Sequence, residues 1–313
     1  MKGAAYSRPI LALLCALSLP SALHAQVPET DRHDIDQITG VNGGYVAEEG
    51  VYKLVVPNEA ATVVLQYQTV PSTLGLNTWV AFSPAKYHTA LMTGEILLLE
   101  DEVDSVISSA VNADLEVTGL ADTTFLDGPA LKSLDISGVG TYQHLASGFR
   151  RVLDDMQRVA KERALRKITP HRPSVSLDSS ITPAPIDEIL SMHGVVLNGI
   201  YRAAIGRRGS IDGEPAGREM GLSTWISISG TDKQALAHGE IVATRDEMQT
   251  VLRSLCSQDF HVISIRNHFV ADHPTYFFVK FWKYNRAPNI AQSLRSTLDA
   301  QIKVAASQVV NAR

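Results

Sequence analysis

From Gly94 to Asp154 the chain runs, without a gap, alongside a second stretch 145 positions further on: Arg150 falls on Arg295, Leu153 on Leu298 and Asp154 on Asp299. The correspondence begins earlier. Leu74-Gly75-Leu76-Asn77-Thr78-Trp79 returns as Met220-Gly221-Leu222-Ser223-Thr224-Trp225, and Thr93-Gly94-Glu95-Ile96 as His238-Gly239-Glu240-Ile241. Solenoid units recur every ~20–50 residues, so a repeat this long is a duplicated small domain. Whatever one copy folds into, the other must fold into as well.

The strand and helix pattern of a copy reads as α+β. Val51–Val56 alternates and is β-rich, and Thr62–Thr69, Trp79–Phe82 and Glu95–Leu99 are further strands. Val103, Val106, Ile107 and Ala110 then take helical spacing, and Leu115–Leu120 and Leu134–Ile136 return to strand. A long amphipathic helix through Leu145, Phe149, Val152, Met156 and Val159 closes the copy. Short early connections exclude parallel crossovers, so the expected fold is α+β: a mainly antiparallel sheet with two helices per copy. Copy two repeats the plan with strands at Gly199–Ile205, Thr224–Ile228 and Glu240–Thr244, a loop at Gly206–Gly217, and a closing helix through Ile290, Leu294, Leu298 and Ile302.

The expected segments are a signal peptide at 1–25, a first copy at 26–168, a linker at 169–185 and a second copy at 186–313. Lys2 and Arg8 precede the apolar run Pro9–Leu19, and Leu23-His24-Ala25 forms a cleavage site before Gln26. The run is too short for a bilayer-spanning helix, and Leu13-Leu14 before Cys15 lacks the small residue of a lipid-attachment site. An exported protein, periplasmic or secreted and not clearly lipidated, is expected, with no transmembrane segment after signal removal. The linker carries Pro170, Pro173, Pro183 and Pro185 among serines, the composition of a semi-rigid tether. The two copies are expected to pack as an internal pseudo-dimer, each covering a sheet face that a small domain cannot cover alone.

Composition narrows the function classes. Of 28 Lys and Arg against 33 Asp and Glu, only Lys2 and Arg8 leave with the signal, so the net charge moves from −5 to −7. An acidic chain without a basic cluster has no footprint for nucleic acid; Arg202, Arg207, Arg208 and Arg218 read as a solvated loop. Cys256 is the one cysteine of the mature chain, which excludes an intramolecular disulfide, and its helical spacing with Leu252 and Leu255 reads as buried and inert. No zinc-protease helix, phosphate loop, nucleophile elbow or paired Cys-x-x-Cys occurs, and no cofactor is indicated.

The suggestive run is Ile265–Pro274, read as the turn of a hairpin between Phe260–Ile265 and Tyr276–Trp282. Alternation places Arg266 and His268 on one strand face, and Lys280 with Tyr276, Phe278 and Trp282 on another. A cation among aromatics can hold a small anionic or polar ligand. The candidate site is therefore Arg266, Asn267, His268, Lys280 and Glu240. The competing reading is a hairpin with a polar end and an aromatic core face. His268, His273, His261 and Glu240 do not converge as metal ligands, so no metal site is expected.

Val51-Tyr52-Lys53, Leu74-Gly75-Leu76, Gly94-Glu95, Glu116-Val117-Thr118, Asn267-His268, Pro274, Phe281-Trp282 and Leu294-Arg295 together resemble the LppY/LpqO-like family of exported bacterial proteins and lipoproteins, whose domain has no assigned function. The resemblance implies a Leu-His-Asn-His stretch, a Pro-Arg pair and a His-Phe pair, able to form a metal or acid–base site. This chain departs from it: Arg266 stands at the first histidine, Thr275 at the arginine, and Lys280 at the histidine before Phe281. Copy one offers Ala121-Asp122-Thr123 and Asp135 there. Two functional classes follow: a non-enzymatic binding or interaction module with its ligand site in copy two, or a hydrolase or metal-dependent enzyme using His268 with Glu240 or Asp272.

The processing reading has a direct test. Intact mass of the exported protein should correspond to a start near Gln26, and a retained Met1 or an acylated Cys15 would contradict it.

Overall fold

The fold is described from a computed structural model, which defines residues 26–57, 63–65, 68–70, 76–87, 89–123, 130–165, 179–269 and 272–311. The expected signal peptide and most of the linker lie outside the described residues. Copy one comprises α1 (Glu29–Thr39), β1 (Gly44–Val46), β2 (Val51–Pro57), β3 (Val63–Leu65), β4 (Gln68–Val70), β5 (Asn77–Pro84), β6 (Ala90–Leu99), α2 (Val103–Asn112), β7 (Glu116–Asp122), β8 (Leu131–Gly140) and α3 (Tyr142–Leu165). Copy two comprises α4 (Pro183–Leu190), β9 (Val195–Leu197), β10 (Ile200–Gly206), β11 (Gly209–Ile211), β12 (Glu214–Ala216), β13 (Ser223–Thr231), β14 (Gln234–Thr244), α5 (Arg245–Ser257), β15 (His261–Asn267), β16 (Asp272–His273), β17 (Tyr276–Asn285) and α6 (Ala287–Asn311).

The α+β class and the antiparallel sheet are as expected. Both copies contribute to one 12-stranded sheet in the order β1-β2-β5-β6-β8-β7-β15-β17-β14-β13-β10-β9. Read inward from either edge, equivalent strands come in the same order. At the centre β7 meets β15 antiparallel at Leu120 opposite Ile265, residues 145 apart and therefore equivalent. A pseudo-two-fold axis passes between them. Across the same seam α2 packs on α5. The side-chain bonds there are also paired: Asp104 accepts from the Val262 N–H at 3.1 Å, and Gln249, at the equivalent position, accepts from the Val117 N–H at 3.0 Å.

One continuous core holds the helices against alternate strand residues, from Leu54, Val80, Phe82 and Met92 to Ile226, Ile228, Val279 and Phe281. Residues of opposite parity face away from the helices, and small apolar clusters cover only parts of that face. In copy two Ala216, Leu222, Val242, Tyr276 and Phe278 form one such cluster; Leu76, Leu97 and Leu131 form its counterpart in copy one. Among the described residues nothing else covers that face, called the open face below.

The same polar contacts fasten each copy. Tyr52 donates to Asp36 at 2.7 Å and Tyr201 to Asp187 at 2.8 Å, and each carboxylate also accepts from a glycine N–H, Gly43 or Gly194. Burial first, and the neighbouring carboxylate second, hold both phenols above their ordinary value. Thr78 and Thr224 each accept from the facing strand, and Arg150 and Arg295 each donate to the carbonyl of Thr39 or Leu190. Buried polar groups left without such partners would cost about 1–3 kcal/mol each.

Several features differ from the sequence expectation. The copies join edge to edge instead of covering each other's sheet faces, and the stretch expected as one strand at Thr62–Thr69 holds β3 and β4, paired antiparallel outside the main sheet. Each copy carries a third helix, α1 or α4. The first, α1, is rich in charged residues yet buries Ile35 completely. The second begins at Pro183, inside the stretch read as linker, because proline suits the first turn of a helix, where its missing N–H has no partner to lose. The loop read at Gly206–Gly217 contains the β11–β12 hairpin, turned by Asp212 and Gly213, both at positive φ. Arg207 is not a solvated loop cation: it grips Glu247 with two bonds of 2.5 and 2.7 Å. Burial alone would raise the Glu247 carboxyl, but Arg207, the Thr244 N–H and Gln301 together bring it below its ordinary value. Cys256 is half-buried, not fully buried as expected, and burial pushes its thiol up to about 12.

Gly94 and Gly239 show why the repeat keeps a glycine there. A Cβ at Gly239 would lie 2.5 Å from both the Phe281 ring and the Trp225 carbonyl, and at Gly94 it would lie 2.6 Å from Val80 Cγ1. Gly239→Ala should therefore destabilise the protein by about 1–3 kcal/mol through overpacking. Gly44→Ala, where a Cβ meets nothing within 4 Å, should be close to neutral. Urea midpoints of the two variants test the difference.

Candidate functional site

The open face of copy two gathers the predicted residues unevenly. Glu240 on β14 is in register with Lys280 on β17, which is in register with Ser264 on β15. A bulge between Val262 and Ser264 resets the parity of β15, so Ser264 and Arg266 turn to the open face and Ile265 to the core. Arg266 Nη2 donates to Glu240 Oε2 at 3.1 Å, Nη1 lies 2.7 Å from His268 Nδ1, and the guanidinium sits 5.4 Å from the Phe278 ring centre. His268 packs against Phe269 and Phe278 at 4.5 and 5.2 Å. Arg266, Glu240, His268 and Lys280 thus share one cluster. Asn267 does not belong to it: its amide donates to the Tyr276 carbonyl at 3.1 Å and ties the strand end.

A guanidinium can only donate, so in this contact His268 Nδ1 accepts. Neither carboxylate named as its partner is free to orient it. Glu240 is taken by Arg266, and the buried Asp272 accepts from the Tyr276 N–H at 2.7 Å. Among the described residues, no group of three or more His, Cys, Asp or Glu is arranged to hold a metal. No helix among them is long and apolar enough to cross a membrane.

At the equivalent place in copy one Glu95 stands opposite Asp135. Burial, and then Asp135, raises the Glu95 carboxyl. The cationic corner exists only in copy two.

A site the sequence did not indicate lies at the seam. A cleft of about 620 Å³ opens between β15, the end of β8 and the start of α2, with Asp101, Asp104, Lys132, Arg163, His261 and Trp282 in its wall. None of the five predicted residues lines it. His261 Nδ1 pairs with Asp104, which fixes the tautomer and presents Nε2, and the ring stacks on Trp282 at 4.1 Å. Asp104 and His261 are 157 positions apart and belong to different copies, so local spacing carries no trace of the pair. The constant offset could have found the seam, because it makes β7 and β15 equivalent strands, but not this contact.

These features define a class: a duplicated α+β protein with one shared sheet, a helical face and an open face that has diverged between its halves. Residues 33–155 and 184–300 match the model of the family described as Domain of Unknown Function (DUF1259), and the chain belongs to that family. Among curated proteins there is no match. A solved trimeric bacterial microcompartment shell protein, PduB, aligns over 84% of this chain and 92% of its own at 8% identity, with a TM-score of 0.22, a likeness too low to carry an argument.

The Asp104 hydrogen bond, the largest cause, raises the His261 pKa against the opposing effect of burial. A raised folded-state value means stability that is fully present below the ordinary imidazole pKa and lost as pH climbs through the raised one. The wild type should therefore lose seam stability over that window, while Asp104→Asn should lack this component. Melting temperatures of both proteins from mildly acidic to mildly alkaline pH check the sign.

Proposed function

We propose that the chain is an exported envelope protein whose second copy binds a small polar ligand on the open sheet face and catalyses no reaction. Export rests on Lys2, Arg8, the apolar run and the Leu23-His24-Ala25 site, and likeness to LppY/LpqO-like exported proteins agrees with it. The observation that carries the binding reading is the cluster joined by Arg266, which sets cationic donors and a carboxylate acceptor beside aromatic rings. Two cations face the buried Glu240, so the cluster is nearly balanced. That balance favours a polar ligand over a strongly anionic one.

The alternative, a hydrolase or metal-dependent enzyme built on His268, has less support. Its imidazole Nδ1 already accepts from Arg266, and Glu240 and Asp272 are committed elsewhere.

A thermal-shift screen of amino acids, dicarboxylates and saccharides on the mature protein, followed by calorimetry, tests the reading. A desolvated charge-assisted bond contributes about 1.5–3 kcal/mol, or about ten- to a hundredfold in affinity. Lys280→Asp should lower affinity by that factor and Asp135→Ala should leave it unchanged. Equal effects of the two substitutions would retire the copy-two site.

A further inference from the structure

Two neighbouring rungs of side chains cross the open face of copy two. In one, Trp225, Glu240, Lys280 and Ser264 are successively in register. In the next, Arg202, Ser227, His238, Trp282 and His261 are. Trp225 leans across to His238 with ring centres 5.2 Å apart at 68°, and His261 stacks on Trp282 at 22°. Four rings on the consecutive strands β13, β14, β17 and β15 therefore form a band. At one end Trp282 and His261 carry it into the seam cleft; at the other, Trp225, Arg202 and Ser227 line a cavity of about 260 Å³. Four strands at ~4.8 Å spacing make the band about 14 Å long.

Among the described residues copy one has no such band. Its equivalent rung reads Lys53, Ala81, Thr93, Ser137 and Glu116, and Trp79 lies beneath Lys53 at 4.4 Å with no described ring stacked on it. The fold does not require these rings, since the same strand pairing forms without them.

We propose that the band binds an uncharged oligosaccharide chain, laid across the strands with one end in the seam cleft. The proposal rests on the copy-two binding reading and names its ligand class. A sugar ring has an apolar C–H face and a rim of hydroxyls. The ring band supplies stacking surface for the face, and the adjacent rung of carboxylate, ammonium and hydroxyl groups supplies donors and acceptors for the rim. His261 covers one side of the Trp282 indole, which leaves its other side toward β14; the residue is 38% exposed. Aromatic bands also stack single-stranded nucleic acid, but that ligand needs a cationic groove. Here Glu240 and, in the cleft, Asp101 and Asp104 accompany the cations, and the chain as a whole is acidic.

The test is titration of the mature protein with cellohexaose, chitohexaose and maltohexaose, followed by tryptophan emission and calorimetry. At least one hexasaccharide should bind at one site per chain with a change in emission. Trp282→Ala and His238→Ala should each weaken it about tenfold, Trp282→Phe should weaken it less, and Trp79→Ala should leave it unchanged. Both alanine positions are exposed, and unchanged melting temperatures confirm the fold. Failure of all three sugars, equal losses from Trp79→Ala and Trp282→Ala, or preferred binding of an oligothymidylate would overturn the proposal. Citrate binding that is lost in Lys280→Asp but kept in Trp282→Ala would overturn the oligosaccharide and leave the copy-two site standing. Absence of any ligand would remove both.

Discussion

Leu120 against Ile265 is the contact on which the molecule depends. Each copy is a half-sheet whose innermost strand, β7 or β15, would otherwise end in an unpaired edge, and an exposed edge is a template for uncontrolled pairing. Joining the two edges removes both at once. Because the pair lies on the pseudo-axis, α2 meets its own equivalent α5 across the seam, and the bond of Asp104 to Val262 recurs as that of Gln249 to Val117. The join also lets one apolar core run beneath both copies, so that neither has to be stable alone.

Central strands that meet about an axis and then diverge leave space on either side of the join. The cleft holding His261 and Asp104 is one such space, and its counterpart around Gln249, Glu116 and Phe277 is a smaller cavity of about 230 Å³. Two identical copies would have made the two spaces identical. Divergence has given one a paired imidazole and carboxylate with an indole wall, and the other an amide, a carboxylate and a phenyl ring. A duplicated fold can change one space without disturbing the other, because the bonds to the strand N–H groups persist in both.

Much of this architecture was legible in the sequence, and what was missed has physical reasons. Alternation in β5, β6, β13 and β14 and the helical period of α2, α3 and α6 survive because they report burial on one side. Helices α1 and α4 were hidden: α1 buries Ile35 and Thr39 within a charged segment, and the prolines of α4 look like linker. The β11–β12 and β9–β10 turns carry Asp212-Gly213 and Asn198-Gly199, all at positive φ, which are hairpin signals in strands too short to show a period. In the candidate site, strand parity placed Arg266 and Lys280 correctly. It could not show that the carboxylate of Glu240 would meet Arg266, nor that Asn267 would turn to the Tyr276 carbonyl, because the bulge at Val262/Ser264 resets β15 and leaves no mark in the sequence pattern.

The two copies also separate what the fold needs from what it can spare. Positions turned toward the helices keep their chemistry: Tyr52 and Tyr201 on their aspartates, Thr78 and Thr224 on the facing strands, Arg150 and Arg295 on helix carbonyls, and Gly94 and Gly239 where a side chain has no room. Glu102 and Glu247 both cap a helix from a buried position, although their arginines, Arg163 and Arg207, come from different parts of the chain. On the open face Trp79 matches Trp225 and Glu95 matches Glu240, but four other pairs differ: Thr93 against His238, Ser137 against Trp282, Glu116 against His261, and Asp135 against Lys280. Substitution of a core residue disturbs close packing and is costly, whereas a residue on the open face meets mostly solvent and can change freely. Freedom alone would scatter the changes among polar residues. In copy two they instead add His238, Trp282 and His261 on three consecutive strands beside the shared Trp225, at the expense of exposing an indole to water, and that coincidence is what points to a ligand rather than to drift.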